Sequence, residues 1–484
     1  MLFKEYDQGQ TFLLPPSLDE FVGEGHLARV INEVVNSLAL GEMYARYSEL
    51  GCSAYHPQLL VKVLFYGYAT GERSSRKLAY RLQSDVAYMY LSGMQTPDFR
   101  TINRFRKDHL ELLPGIFVQM VRLCQALGMV RVGLIALDGT KLQANASYGQ
   151  TRRKQDLDKE LAAVEQEIAR ILAECAVTDE QEDVQEGEEQ SGYEVPEALR
   201  DAQRRQERLV EARARLVAEG AKQINLTDPE ATTMLHHRKQ PQPSYNGQIA
   251  VDAQQGLIVA ATLSTTPADQ GALPELVAQT VAITGMQPAE VVADAGFASA
   301  ANYLALEESK ITGYIPDQKG ESLRRGTTKH PEFQRSQFQY EEATDSYRCP
   351  QGHRMVYYNT QPTAEGIPIR MYRGQQCPDC SRREECTTAR YRRISRDPRE
   401  EVVQRMRARV DSSAGQHRLR LRQHLVEPIF GHLKHNWQYR QLLLRGKMKA
   451  TGEFLLMCIA YNLRKMALWL LRAETRYSGK LQTA

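Results

Sequence analysis

Residues 132–138 read VGLIALD, and Gly139 follows. The run is short, apolar and bounded by glycine, which suits a buried strand that delivers a carboxylate, Asp138, to its C-terminal edge. Before it the apolar spacing is helical. After it, strands are predicted at 245–252 (YNGQIAVD), 257–264 (LIVAATLS), 290–294 (EVVAD) and 312–315 (TGYI), with helices over 274–285 and 298–308. Three strands, then helix, strand, helix, strand predict a mixed α/β core spanning 128–319 and 401–484.

Working outward, residues 1–127 predict a helical domain. Ser17 with Glu20 makes a capping-box pattern at the head of SLDEFVGEGHLARVINEVVNSL. Phe21, Leu27, Val30, Ile31, Val34, Val35 and Leu38 then recur at helical spacing. Further helices are predicted in HPQLLVKVLFYGYATG, in SSRKLAYRLQSDVAYMYLSG, and from Thr101 in TINRFRKDHLELLPGIFVQMVRLCQALG, with Gly71 as a stop after the first. The turn-and-cap sequence GERSSRK suits a helix-turn-helix-like module whose Arg73, Arg76, Lys77 and Arg81 meet phosphates. A helical bundle with an ordinary basic face fits the same residues.

Two insertions interrupt the core. Within 151–222, Leu157, Leu161, Val164, Ile168, Ile171 and Cys175 form a heptad-like seam, and Leu199, Ala202, Gln206, Leu209 and Leu216 a looser one. An antiparallel helical hairpin with a mobile acidic tip, DEQEDVQEGEEQSGYEVPE, accounts for both. The second insertion, 320–400, is Arg-rich, poor in periodicity and holds four of the eight cysteines.

With 42% hydrophobic and 25% charged residues in 484, the composition excludes wholesale disorder, collagen-like repeats and a disulfide miniprotein. The most apolar stretch, 454–471, is broken by Asn462, Arg464 and Lys465, so no membrane span is predicted, and MLFKEYDQGQ lacks a basic-then-apolar signal. The expected location is cytoplasmic, where cysteines serve as thiols or metal ligands. The net charge of +3 hides an asymmetry: residues 370–484 carry 25 Lys and Arg against 10 Asp and Glu, and residues 156–195 carry 14 acidic against 2 basic residues. A C-terminal quarter of net +15 is a candidate for polyanion binding, or simply a solvated basic surface.

Three carboxylates stand out: Asp138, Asp294 in VVADAGFAS and Glu427 in HLVEPIFGHLKHN. Ligands of open α/β sheets bind beyond the carboxyl ends of strands. Two strand-end aspartates joined by a helical glutamate would offer hard oxygens to two divalent ions, as phosphodiester chemistry needs. Asp-Gly and Asp-Ala-Gly are equally at home as plain turns. Cys349, Cys377, Cys380 and Cys386 suffice for one tetrahedral zinc site, His353 being able to replace one of them; reduced thiols without metal are the alternative. Cys52, Cys124 and Cys458 read as core residues. His236 and His237 read as loop histidines, and Asp269 in TTPADQ as a turn residue before an auxiliary carboxylate. Trp437 and Tyr439, beside Arg440 and Arg445, either stack on an unpaired base or pack the helix after Glu427.

Long motifs along nearly the whole chain now bear on family: LPPSLDEFV, YHPQLLVKVLFYGYATGERSSRKL, PDFRTINRFR, LDGTKLQANAS, NLTDPEA, SYNGQIAVD, VVADAGF, VEPIFGHLK and FLLMCIAYNLRK. In these the sequence resembles the DDE transposases of bacterial insertion sequences, in the group with a helical N-terminal domain, a helical insertion and a cysteine-bearing insertion. The resemblance implies an RNase H-like mixed-sheet catalytic core, a DNA-binding domain over 1–127, and a small zinc-ribbon-like insertion over 320–400. It implies Asp138, Asp294 and Glu427 as ligands of Mg²⁺ or Mn²⁺, and Lys434 as a catalytic lysine. Related families place a Tyr and an Arg seven and four positions before the Glu; Arg420 and Gln423 stand there here, and those roles are not carried over. The implied partners are terminal inverted repeats, target DNA and a second copy of the chain, on the bacterial nucleoid and away from membranes. The rival expectations are a retired transposase that only binds DNA and a nuclease that hydrolyses without strand transfer.

Overall fold

The computed structural model describes residues 17–47, 53–186, 197–236, 240–317, 329–362 and 366–481; side chains of 176–186 and 473–481 are not described. Cys52, His237 and most of the acidic tip therefore lie outside the described residues. The Ser17 capping box is formed, but it starts only the short 3-10 turn Leu18–Phe21. The chain re-enters helix as α1 (Leu27–Ser37), with His26 Nδ1 accepting from the Ala28 N–H at 3.2 Å. The single long helix expected there is interrupted at Gly23 and Gly25, where glycine is a poor helix residue. α2 (Pro57–Ala69) is apolar nearly all round and correspondingly buried, Val63, Tyr68 and Ala69 completely.

α3 (Ser75–Ser84) and α4 (Val86–Ser92) were expected as one helix. Asp85 separates them: it adopts an extended backbone and caps α4 by accepting from Ala87 N–H at 3.0 Å. α5 (Phe99–Asp108), capped by Asp98, and α6 (Leu113–Ala126), with Pro114 in its first turn, likewise divide one expected helix.

β1 (Leu134–Gln143) starts the sheet. α7 (Lys154–Glu186) and α8 (Glu197–Ala218) follow as the expected hairpin, antiparallel by the cross-pairs Arg213–Asp158 and Arg205–Glu167, with Leu157, Val164, Leu209 and Leu216 in a core of their own. The chain then returns as β2 (Pro241–Asp252) and β3 (Leu257–Ser264), crosses by α9 (Ala272–Thr284) to β4 (Glu290–Val292), and by α10 (Ala300–Glu308) to β5 (Thr312–Tyr314). The strand order is β3-β2-β1-β4-β5; β1 pairs antiparallel with β2 and parallel with β4, and β5 continues the parallel side. Thr232–Leu235 pairs antiparallel with the first residues of β2, Pro241–Ser244. Leu134, Ile135, Ala136 and Leu137 are all buried, as a strand covered on both faces requires.

The cysteine insertion is poor in periodicity, and from sequence no strands were placed in it beyond the zinc-ribbon-like expectation. It forms instead a five-stranded antiparallel meander, β6 (Gln339–Glu341), β7 (Ser346–Arg348), β8 (Arg354–Pro362), β9 (Pro368–Gly374) and β10 (Arg393–Arg396), around Phe338, Tyr347, Met355, Tyr372 and Ile394. Dense arginines hid the alternation; several of them stack on tyrosines, Arg396 lying 3.6 Å from the Tyr340 ring centre.

α11 (Glu400–Asp411), α12 (Ser413–Gly431) and α13 (Lys447–Leu481) complete the fold. The portion Lys447–Arg472 is long and apolar enough to cross a membrane by length and composition, yet most of it is buried against α2, α6 and β3. Phe454, Met457, Cys458, Ile459, Ala460 and Leu463 are completely buried, so its apolarity is that of a core helix. One continuous apolar cluster joins the N-terminal helices, the sheet and α13.

Candidate active site

In the parallel pair β1 and β4, Ala136 lies opposite Val292. Asp138 and Asp294 come two residues later on each chain, so both carboxylates leave the same end of the sheet on neighbouring paths, roughly 4.8 Å apart by strand spacing. β1 does not end at Asp138 as expected. Pairing with β2 carries it on to Gln143, with Asp138 opposite Ile249 and Lys141 opposite Asn246. β4 does end, and Asp294 caps the following turn by accepting from the Gly296 N–H at 2.9 Å.

A third carboxylate joins them. Asp269 makes the turn expected of it, its carbonyl accepting from Ala272 N–H at 3.1 Å, but its side chain also reaches the sheet end. Oδ1 accepts from Asn246 Nδ2 at 2.6 Å and Gln248 Nε2 at 2.8 Å, with Lys141 Nζ at 3.5 Å. A Cβ on Gly139 would stand 2.9 Å from Asp269 Oδ1; one on Gly296 would stand 2.7 Å from its Oδ2 and 3.0 Å from Asp294 Oδ1. Neither glycine has a positive φ, so both are there for space rather than for turning. Burial pushes the Asp138 carboxyl up to about 6; Arg422 opposes this, and Asp294 and Asp269 add to it.

α12 lies along β1. Val426 and Ile429 are completely buried and anchor it. Arg422 reaches Asp138, Nη1 to Oδ2 at 3.2 Å. A π-helical turn, His432–Asn436, follows and carries Lys434, whose Nζ donates to the Lys141 carbonyl at 2.9 Å. Desolvation, then Lys141 and Arg440, bring Lys434 down to about 8 against the pull of Asp138. Glu427 lies between these two contacts on the helix, exposed and without a hydrogen bond or ion pair to a described residue. Arg422, Asn246 and Gln248 were missed from sequence. The visible signal for the last two was a pair of polar residues at alternate positions in the otherwise apolar strand YNGQIAVD.

The basic residues divide. Arg76, Lys77 and Arg81 are exposed on α3, Lys77 with 72% of its side chain accessible. Arg73 is not a surface cation: it donates to Glu453 Oε1 at 3.1 Å and the Gln441 carbonyl at 2.7 Å, and stacks 4.6 Å from the Tyr439 ring centre. Glu453, completely buried, also accepts from the N–H groups of Leu443 and Leu444, which is why a cation is drawn inside. Arg440 and Arg445 are exposed, donating to the carbonyls of Lys434 and Asn145 at 3.0 Å each. Trp437 and Tyr439 are buried, which decides for packing over base stacking. His236 Nε2 pairs with Ser244 Oγ at 2.7 Å.

Cys349, Cys377, Cys380 and Cys386 line one cavity of about 30 Å³ with His353, all at one end of the meander. Burial and the neighbouring thiols raise Cys386. Cys124 and Cys458 are buried core thiols. Among the described residues, the group of three ligand atoms all within 4.8 Å is a different one, His330, Glu332 and Glu385, where Arg382 already contacts Glu332 at 2.7 Å.

Two family comparisons match. Residues 348–467 match the family described as Transposase DDE domain, a span that includes Glu427, Lys434 and the four cysteines. Residues 16–108 match the family described as Transposase domain (DUF772). No curated protein and no solved structure matches the chain.

Proposed function

The chain belongs with the DDE transposases of insertion-sequence type, and from that premise we propose that it binds the terminal inverted repeats of its element, cleaves phosphodiesters there and joins 3′-hydroxyl ends to target DNA. The observation that carries the reading is the parallel register that brings Asp138 and Asp294 to one end of the sheet, with Glu427 on the helix lying along β1. The strand order β3-β2-β1-β4-β5 supports an RNase H-like core.

Carboxylate oxygens are the donor set that hard divalent cations take, so Asp138 and Asp294, with Glu427 supplied from α12, would hold Mg²⁺ or Mn²⁺. Such ions, when bound, activate an attacking oxygen and neutralise a leaving one. The chain's own groups prepare the site. Lys434, fixed on the Lys141 carbonyl, holds positive charge where a phosphate would lie. Asn246 and Gln248 orient Asp269. Arg76, Lys77, Arg81, Arg440 and Arg445 offer the sequence-independent phosphate contacts that position a duplex. The four cysteines would hold one structural Zn²⁺, a role their shared cavity supports. A second copy of the chain would complete the active complex, acting on the nucleoid in the cytoplasm.

The test is cleavage of end DNA with Mg²⁺. Asp138→Ala, Asp294→Ala and Glu427→Ala should each abolish it while retaining end binding, and cleavage at wild-type rate by any one removes that residue from the site. Strand transfer with pre-cleaved ends separates transposition from plain hydrolysis, and its absence in the wild-type chain would favour the nuclease.

A further inference from the structure

We propose that Asp269 is a fourth carboxylate of the same divalent-cation centre, presenting Oδ2 beside Asp294 while the Asn246 and Gln248 amides hold Oδ1. This rests on the reading of Asp138 and Asp294 as cation ligands. The first support is space. Asp138 and Asp294 are each followed closely by a glycine, and the missing Cβ atoms of both glycines would fall within 3 Å of an Asp269 oxygen. A side chain at either position would push Asp269 away, so the sheet end is shaped around it.

The second support is orientation. Two fully buried amides donate to Oδ1 at 2.6 and 2.8 Å, whereas Oδ2 makes no hydrogen bond to a described residue and stands 2.7 Å from where a Gly296 Cβ would be, with Asp294 Oδ1 3.0 Å from the same point. Lys141 at 3.5 Å is the nearest cation and is itself bound to the Pro267 carbonyl. Like charges so placed repel unless a cation comes between them.

The third support is independent of the carboxylates. Asn246 Oδ1 and Gln248 Oε1 are buried and have no hydrogen-bond partner among the described residues. Both belong to side chains that are completely buried and whose amide nitrogens donate to Asp269 Oδ1. Buried amide oxygens that lack donors are rare and call for an incoming partner. The water shell that a small divalent cation retains supplies such donors.

The experiment is a Mn²⁺ titration by calorimetry on the full chain without DNA, with thermal unfolding in chelator as the check on folding. Asp269→Asn should weaken Mn²⁺ binding roughly 10–100-fold, the range for groups that complete or orient a metal site, and so should Asp138→Asn. If Asp138→Asn weakens binding and Asp269→Asn leaves the isotherm unchanged, this inference is overturned and the metal reading stands. If neither alters it, the metal reading falls as well. Should Asp269→Asn fail to fold, Gly139→Ala displaces Asp269 without altering any charge; weaker Mn²⁺ binding is expected there, and an unchanged isotherm overturns the proposal.

Discussion

Arg422 Nη1 stands 3.2 Å from Asp138 Oδ2, and the geometry is that of an ionic contact rather than a hydrogen bond, for the same nitrogen is buried without a hydrogen-bond partner among the described residues. The pair is nearly enclosed, with 12% and 14% of the two side chains accessible. The guanidinium thus supplies the counter-charge that three clustered aspartates need when no cation is bound. Arg422→Met should lower stability in chelator by about 1–3 kcal/mol, the range for loss of a partly buried charge partner. Mn²⁺ should then raise the Tm of the variant more than that of the wild type. Equal stability in chelator and equal Mn²⁺ shifts would show that the pair compensates no charge.

Arg73 and its helix neighbours should separate in their effects. Removing Arg73 leaves Glu453 buried and unpaired, and breaking such pairs costs about 3–5 kcal/mol. Burial raises the Glu453 carboxyl and Arg73 lowers it, so the raised group costs stability once pH exceeds its unfolded value, and the cost fades as pH falls and the carboxyl protonates. The deficit of Arg73→Ala should therefore narrow as pH falls and the Glu453 carboxyl protonates. Arg76→Ala and Lys77→Ala should leave Tm unchanged and weaken DNA binding, each reducing the salt slope by about 1. Loss of DNA affinity by Arg73→Ala with unaltered Tm would return it to the surface role expected from sequence.

Lys434 is held down to about 8, so its ammonium costs stability at neutral pH, and that cost shrinks as pH rises through 8 toward the unfolded value. Lys434→Met should accordingly raise the Tm of the DNA-free chain at pH 7 and weaken binding of end DNA. A lower Tm would mean that the bond to the Lys141 carbonyl outweighs desolvation.

Much of the sheet was legible because strands buried on both faces are read from apolar runs alone: VGLIALD, LIVAATLS and EVVAD all lie in or beside strands where expected. Helix breaks were less so. Asp85 caps a helix through side-chain geometry, which composition does not reveal until the backbone is seen to extend. The site was half legible. Asp138 and Asp294 announce themselves where apolar runs end, whereas Asp269 lies in a turn-rich loop 131 residues from Asp138, and only the β1–β2 register brings its amide partners Gln248 and Asn246 opposite Gly139 and Lys141. Arg73 and Arg76 are indistinguishable by spacing, since what parts them is a glutamate 380 residues away.

The meander of the second insertion bears on zinc. Its core is only Phe338, Tyr347, Met355, Tyr372 and Ile394, with partly buried Tyr340, Cys349 and Cys386 against it. So small an apolar core rarely holds a sheet by itself, and natural domains of this size recruit a metal or disulfides. Here the four cysteines come from two loops: Cys349 follows β7, and Cys377, Cys380 and Cys386 follow β9. All four are free thiols, so a metal is the staple their chemistry allows. Protein purified without chelator should carry about one zinc per chain. Cys380→Ser should lose it and speed hydrogen exchange across 345–390 while the Asp138 sheet keeps its protection, because metal binding there is folding energy for the meander alone. Zinc-free protein with full protection of that segment would show that the apolar cluster suffices.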